Sequence, residues 1–472
     1  MIEIKRIIQP IDCDTILNRS RSGGGIFSEL FFENKVFNSV TLEDGKIEEV
    51  SGGIDKGVGL RVISGDKTFY GYTNKVENSS LLDLAKEISS AVKSQKISAK
   101  ELKKIDFKEE KDADFKDFLK GTLDDRVEKL KLAESFLPRG SNYLKHYKLV
   151  ISDSIQEVAI INSEGKEIID RRLNTIFIVQ VVLAKDEIIQ TGYEPIGGSE
   201  GFELFEKIDL GKTVKSSFER AKMMLDAPKA PAGSMPVVLS SEAGGTMIHE
   251  AVGHGFEADY AQEGLSVYSG KKGELISSTL VTVADDPTLT GKRGSYRFDD
   301  EGTASSETIL IENGCLKNYL YDLLSAMKDG VVSTGNGRRE SYRFKPIPRM
   351  SNTYIKPGNH SPEEILKETE KGLFVKKMGG GQVNPVNGDF VFEVSEGYLI
   401  QNGKLVSPVR GATLAGNGPK VLLDIDMVGN DLGFGIGTCG KGGQGVPVAD
   451  AQPTLRIKSL VVGGEGNPPW EK

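Results

Sequence analysis

The pattern of hydrophobic and polar positions divides the first hundred residues into strand-like runs, turns and one closing helix. Asp44-Gly45 lies between two β-compatible runs, and this dipeptide favours a two-residue hairpin turn. From Leu81 to Val92, apolar residues recur at helical spacing after Ser79-Ser80, which predicts a capped amphipathic helix. We therefore predict a mixed α/β domain over residues 1–100.

The chain between Ile97 and Lys120 is dense in lysine, aspartate and glutamate, which is typical of a solvated linker or an exposed helix. A second unit follows, with a helix from Leu123 to Leu137 and a β-branched run, Thr175 to Ala184, that predicts a buried strand. A further helix over 213–226 leads into a segment rich in proline and glycine. We therefore predict a central α+β domain over residues 101–230.

The remainder, residues 231–472, has the pattern of a large β-rich domain. Asn313-Gly314 and Asn402-Gly403 predict two more hairpin turns. One helix begins at Ser361-Pro362 with a capping box, and Gly372 is its predicted stop. The fold class is therefore α+β, with N-terminal mixed α/β units followed by a β-rich C-terminal domain.

The composition and charge of the chain exclude some classes of function. The chain has 472 residues with 60 basic and 68 acidic side chains, a net charge of -8, and no basic block for nucleic acid to bind. Its longest apolar run is about half the length of a membrane-spanning helix, and the first residues lack a signal-peptide pattern. We expect a cytoplasmic protein that binds neither nucleic acid nor membrane. Three cysteines, Cys13, Cys315 and Cys439, are too few for a disulfide framework.

The candidate chemistry lies in His249-Glu250-Ala251-Val252-Gly253-His254, which contains two of the four histidines. Two neutral imidazoles bind a zinc-type cation, and a neighbouring carboxylate can accept a proton from water that the metal has acidified. The histidines are five residues apart, which on a regular α-helix leaves them about 140° out of alignment. A π-bulge, or a helix end at Gly253, would bring both imidazoles to one point.

A catalytic zinc normally has three protein ligands and an open position for water. Cys439 is the best candidate for the third ligand, because it lies in a glycine-rich segment and because Lys441 would favour a thiolate. Asp299, Asp300 and Glu301 are carboxylate alternatives.

Several segments together resemble the TldD subunits of the TldD/PmbA (TldE) family of zinc metallopeptidases. The resemblance is dense from Ser234 to the C-terminus and looser before it. It rests on the residues 249–259, 299–302, 335–342, 348–354, 379–383, 428–431 and 437–440.

The resemblance implies a zinc-dependent peptidase that acts on unfolded or short peptides. It implies that His249, His254 and Cys439 bind Zn²⁺ and that Glu250 is the general base. It also implies pairing with a related subunit that lacks the motif. Residues 20–28 depart from the family pattern, which affects expectations about substrate entry but not about the metal.

Gly380, Gly381, Gln382 and Arg349 are candidate substrate-binding residues, since an exposed strand edge at 379–383 could hold an extended peptide by backbone pairing. We expect a homodimer, or a heterodimer with a PmbA/TldE-like subunit. The alternative function is a non-catalytic peptide-binding or regulatory protein in which a metal only fixes structure.

Overall fold

The computed structural model describes residues 3–95 and 120–466. The first part is built on six strands: β1 (Phe27–Glu43), β2 (Lys46–Ser64), β3 (Lys67–Thr73), β4 (Leu144–Asn162), β5 (Glu167–Lys185) and β6 (Ile188–Gly198). They form one antiparallel sheet in the order β3-β2-β1-β4-β5-β6. Strands β1 and β4 pair from Glu29↔Asn162 to Glu43↔Lys148, so this sheet continues across the predicted boundary at residue 100. The charged stretch assigned to that boundary lies almost wholly outside the described residues.

Six helices accompany this sheet within residues 3–95 and 120–226: α1 (Glu3–Ile8), α2 (Cys13–Arg21), α3 (Asn78–Ser94), α4 (Leu123–Ser135), α5 (Leu204–Lys207) and α6 (Leu210–Asp226). The apolar face of α3, including Leu81 and Ala85, packs in one core with Leu30 and Leu60 of the sheet. Helices α4 and α6 pack in a second core with alternate residues of β5, such as Phe177. The predicted helices and the predicted buried strand are therefore present.

The C-terminal part contains fifteen short or medium strands and five helices among the described residues. The strands are β7 (Gly233–Leu239), β8 (Val283–Asp285), β9 (Thr308–Glu312), β10 (Cys315–Leu316), β11 (Gly337–Arg338), β12 (Ile347–Pro348), β13 (Asn352–Ile355), β14 (Lys371–Val383), β15 (Asp389–Gln401), β16 (Lys404–Val409), β17 (Thr413–Asn417), β18 (Ile425–Val428), β19 (Gly433–Lys441), β20 (Gln444–Gln452) and β21 (Leu455–Gly463). The helices are α7 (Thr246–Ile248), α8 (Ala258–Gln262), α9 (Leu323–Asp329), α10 (Pro362–Lys367) and α11 (Gly418–Leu423).

Two larger sheets organise these strands. One has the order β14-β7-β21-β17-β15-β16, with β18 beside β21 and an extra pairing between β14 and β15. The other has the order β10-β9-β8-β13-β20-β19. A single large hydrophobic core joins both sheets and includes Val252 and Phe256 of the predicted metal-site segment. This arrangement confirms the predicted fold class.

The capping box at the start of α10 is present, since Ser361 accepts from the Glu364 N–H and Glu364 accepts from the Ser361 N–H. The predicted stop at Gly372 is wrong, because α10 ends at Lys367 and Gly372 lies inside β14. Within residues 3–95 and 120–466, none of the helices has the length and apolar character needed to span a membrane.

Candidate metal centre

Both motif histidines lie on one continuous helical segment that changes type as it proceeds. An α-helical turn, Thr246–Ile248, is followed by a π-helical turn, His249–Gly253, and then by a 3₁₀ turn, His254–Phe256. The His254 N–H donates to the His249 carbonyl oxygen. The wider π turn compensates for the five-residue spacing, and the two imidazole ring centroids lie 5.0 Å apart. The first of the two predicted solutions, the π-bulge, is confirmed.

Two glycines allow this segment to pack closely against its surroundings. A Cβ atom at Gly253 would overlap the sulfur of the buried Met350, and one at Gly245 would overlap the backbone of Ala451 in β20. Glycine at these positions therefore sets the segment deep against the sheet that carries β19 and β20.

The thiol of Cys439, on β19, faces the two imidazoles. Its Sγ lies 3.5 Å from His254 Nε2, and one ligand atom from each of the three side chains lies within 4.8 Å of the others. No other group of three or more histidine, cysteine or acidic side chains with such spacing occurs in the described parts of the chain. Two imidazoles and one thiolate are a donor set that suits Zn²⁺ and leaves a fourth position for water.

The carboxylate alternatives for the third ligand lie elsewhere and have other partners. Glu301 forms a fully buried ion pair with Arg61 at 2.5 Å, and Asp300 pairs with Arg172. Asp299 accepts three backbone N–H groups. The structure brings none of the three to the imidazoles.

A second layer of charged side chains surrounds the candidate ligands. His249 Nδ1 lies 2.7 Å from Asp450 Oδ1, and His254 Nδ1 lies 3.0 Å from Glu257 Oε2. Neither acid was predicted from the sequence, and Asp450 is 201 residues from His249 in the chain. Glu257, three residues after His254, was the only one of the two acids with a local signal in the sequence.

Two basic side chains complete this layer. Lys441 donates to Asp259 at 2.6 Å and lies 3.1 Å from Glu257 Oε2, so its ammonium group pairs with carboxylates. Arg349 is fully buried and donates to the Cys439 carbonyl oxygen at 2.5 Å. This contact favours a positioning role for Arg349 over the predicted contact with substrate.

Electrostatics favour a thiolate at Cys439. Burial by itself would raise the pKa of this thiol, but hydrogen bonds and Coulomb attraction from His249 and His254 lower its pKa to about 6. The thiolate is the form of cysteine that binds zinc.

Glu250 follows the first histidine within the π turn and is half-buried. Among the described residues, no side chain or backbone group forms a hydrogen bond or ion pair with its carboxylate. Glu250 therefore differs from Asp450 and Glu257, which are both engaged by imidazoles, and its carboxylate is available for proton transfer.

A cavity of about 1000 Å³ lies between β6, β14 and β19; Thr246, at the start of the helical segment, lines it, whereas the three candidate ligands and Glu250 do not. Gly380 lines it and has open space around the position of a Cβ atom, whereas Gly381 packs against the Phe392 ring. Strand β14 pairs with β7 only at Leu373–Val375. From residue 376 to Val383, one edge of β14 thus has no strand partner within the described residues.

Comparisons with known proteins agree with this architecture. Family models described as domain 1, central domain and C-terminal domain of the PmbA/TldA metallopeptidases match residues 28–94, 116–225 and 232–464. The chain belongs to the TldD/PmbA family of metallopeptidases. The family expected from the sequence motifs is thus confirmed.

Relatives within the TldD/PmbA family cover nearly the whole chain. A protein of Haemophilus influenzae named metalloprotease TldD homolog is 36% identical over 447 residues, 93% of each chain. One of Saccharolobus solfataricus, named zinc metalloprotease TldD homolog, is 28% identical over 95% of this chain and 99% of its own. The crystal structure of TldE from Thermococcus kodakarensis shares the fold, with a TM-score of 0.76 at 18% identity over 95% of this chain and 99% of that one.

Proposed function

We propose that this member of the family is a zinc-dependent peptidase of the HExxxH type, in which His249, His254 and Cys439 bind Zn²⁺. The observation that carries the proposal is the convergence of two imidazoles and one thiol within 4.8 Å. Glu250 follows the first of these histidines in the chain, and its carboxylate has no hydrogen-bond or ion-pair partner among the described residues. The name of the Saccharolobus solfataricus relative, a zinc metalloprotease, supports the choice of metal.

Zinc at this position would supply Lewis acidity, which lowers the pKa of water and polarises the scissile carbonyl. Glu250 acts as the general base: it accepts a proton from the attacking water and delivers it to the nitrogen of the leaving amine. Glu250 forms no ion pair within the part of the chain that the structure describes, which supports this role, because a carboxylate held by arginine or lysine is a weaker base.

The substrate we propose is an extended peptide, taken from an unfolded chain or a short oligopeptide. The edge of β14 beyond Val375, which has no strand partner among the described residues, could pair with a peptide backbone. Gly380 and Gln382 lie on this part of β14. Backbone pairing selects a peptide by its extended conformation and not by a particular side chain. Folded proteins, whose backbone groups are already paired, would be excluded.

The alternative is a binding or regulatory protein with a purely structural metal. A structural zinc site is normally closed by four protein ligands, whereas three converge here among the described residues. The large hydrophobic cores also predict a fold that does not depend on a metal. Removal of zinc by a chelator should therefore leave the circular dichroism spectrum unchanged, and gross unfolding would favour the structural alternative.

We also propose a dimer, either of two copies or with a TldE-like subunit that lacks the motif. A peptidase that recognises only the peptide backbone could cleave many proteins of its own cell if its zinc faced open solvent. Enclosure by a second subunit would restrict entry to unfolded chains. Light scattering at micromolar concentration tests this. A stable species of 51.2 kDa that cleaves peptides without an added partner would contradict it.

The proposed activity is tested with one substrate in two states. Reduced, carboxymethylated α-lactalbumin should be cleaved by the zinc-loaded protein, and native α-lactalbumin should not. The double variant Cys439→Ala, His254→Ala should lose both zinc and cleavage. Stoichiometric zinc in that variant would contradict the ligand assignment.

A further inference from the structure

We infer that Asp450 and Glu257 are the positioning residues of the metal centre, and that the hairpin formed by β19 and β20 fixes the geometry of all three ligands. This inference rests on the proposed function, since it concerns how the proposed zinc ligands are held. It adds Asp450, Glu257 and Lys441 to the residues on which metal binding depends.

Each imidazole makes its carboxylate contact through the same ring nitrogen. His249 uses Nδ1 toward Asp450, and His254 uses Nδ1 toward Glu257. A neutral imidazole whose Nδ1–H donates to a carboxylate keeps the lone pair on Nε2. The Nε2 of His254 is the atom that faces the Cys439 sulfur, at 3.5 Å. The two acids therefore select the tautomer and the ring orientation that present Nε2 to a cation.

Asp450 has no charged partner other than His249 among the described residues that would explain its burial. Asp450 is only 8% exposed, and in the described part of the chain its carboxylate forms no ion pair with lysine or arginine. Burying a carboxylate without a cation is costly. Among the described residues, the contact that offsets this cost is the one with the imidazole of His249, which indicates a role directed at the metal centre rather than at the fold.

Glu257 is fully buried, and one of its carboxylate oxygens contacts two partners. Its Oε2 lies 3.0 Å from His254 Nδ1 and 3.1 Å from Lys441 Nζ. Lys441 lies two residues after Cys439 on β19. The chain of contacts from His254 through Glu257 to Lys441 therefore ties one ligand to the strand that carries another.

The antiparallel pairing of β19 with β20 brings these parts together in one hairpin. Gly435 pairs with Asp450 and Cys439 pairs with Val446. This hairpin thus carries the third ligand, the acid that orients His249 and the lysine that holds the acid beside His254. Supporting a site from regular elements holds its ligands more precisely than support from loops.

The test compares Asp450→Asn and Glu257→Gln with the wild-type protein and with Asp426→Asn. Asp426 pairs with Arg456 on β21 and touches neither imidazole, so it is the matched control for loss of a carboxylate. Zinc affinity is measured by competition with a chromophoric chelator. The optical spectrum of the Co²⁺-substituted protein reports ligand geometry independently of activity.

We expect each of the two site variants to bind zinc about 10- to 100-fold more weakly than the wild type, with shifted Co²⁺ bands. The control should match the wild type in both measurements. Circular dichroism checks folding, and if Glu257→Gln does not fold, Asp450→Asn carries the test.

Zinc affinity and Co²⁺ bands that remain unchanged in folded Asp450→Asn would overturn the positioning role. The proposed function fails in a different way. A wild-type protein that takes up no zinc, or whose Co²⁺ form lacks a thiolate charge-transfer band, would contradict the ligand set itself.

Discussion

Gly253 packs directly against Met350, so closely that a Cβ atom at position 253 would overlap the methionine sulfur. The Met350 side chain is flexible but fully buried, so it can make room for a Cβ atom only by repacking against its neighbours in the core. We expect Gly253→Ala to destabilise the protein by about 1–3 kcal/mol, as overpacking does, and to weaken zinc binding by displacing His254. Urea unfolding and zinc competition measure the two effects.

Gly140→Ala is the matched control for this substitution, because a Cβ atom there meets no atom within 4 Å. It should change stability by less than about 1 kcal/mol. Equal stability and equal zinc affinity in both variants would mean that the π turn tolerates a side chain at position 253.

Arg61 joins the N-terminal sheet to the C-terminal part through an ion network that is closed to solvent. Its guanidinium pairs with Glu29 at 3.1 Å and with Glu301 at 2.5 Å, and all three side chains are fully buried. Arg61→Met would leave two buried carboxylates short of a partner. We expect a loss of about 3–5 kcal/mol in the free energy of unfolding, measured by urea denaturation.

The comparison for Arg61→Met is Arg343→Met, which breaks the ion pair with Asp55. Those two side chains are 41% and 33% exposed, so the expected loss is about 0–1 kcal/mol. If both variants lost the same small amount, the buried network would contribute no more than a surface pair.

Asp259 should make stability depend on pH. Burial raises the pKa of this carboxyl group to about 6. The positive charge of Lys441 acts in the opposite direction and lowers this pKa, but Glu257 also pairs with Lys441, and its negative charge raises the pKa of Asp259. An unfolded aspartate titrates near 4. Between about pH 4 and pH 6, the folded state keeps the proton on Asp259 and the unfolded state has lost it, so stability falls as pH rises. The contribution of this group to stability is therefore full below about pH 4 and is lost as pH rises through about 6.

Asp259→Asn removes this titration while keeping the oxygen that accepts from Lys441 and from the Tyr260 N–H. Urea unfolding at pH 4.5 and pH 7 measures the stability of the wild type relative to the variant. The wild type should lose relative stability as pH rises. A relative gain would mean that attraction to Lys441 outweighs burial.

Local sequence signals were sufficient for the turns. Asn313-Gly314 and Asn402-Gly403 both adopt positive φ, which asparagine and glycine accept more readily than other residues. The stop at Gly372 was wrong because that glycine allows a close approach between strands, where a Cβ atom would overlap the Pro236 carbonyl oxygen. A glycine that ends a helix and one that packs inside a sheet look alike in sequence.

The candidate ligands could be selected from sequence because histidine is rare and cysteine rarer in this chain. The supporting acids could not. Asp450 and Glu257 are two among 68 acidic residues, and only the pairing of β19 with β20 and the π turn bring them to the imidazoles. The contact between His249 and Asp450, 201 positions apart, leaves no local pattern. Glu257 follows His254 by three residues, but this spacing alone does not distinguish it from the other acids.

The most direct test of the proposed peptidase compares the wild type with Glu250→Gln, with zinc content and cleavage of an unfolded peptide measured on the same samples. Because Glu250 is the base and not a ligand, the variant should keep one zinc per chain and lose about 10²- to 10⁴-fold in turnover. Wild-type turnover in zinc-loaded Glu250→Gln, or loss of the metal with this change alone, would contradict the account.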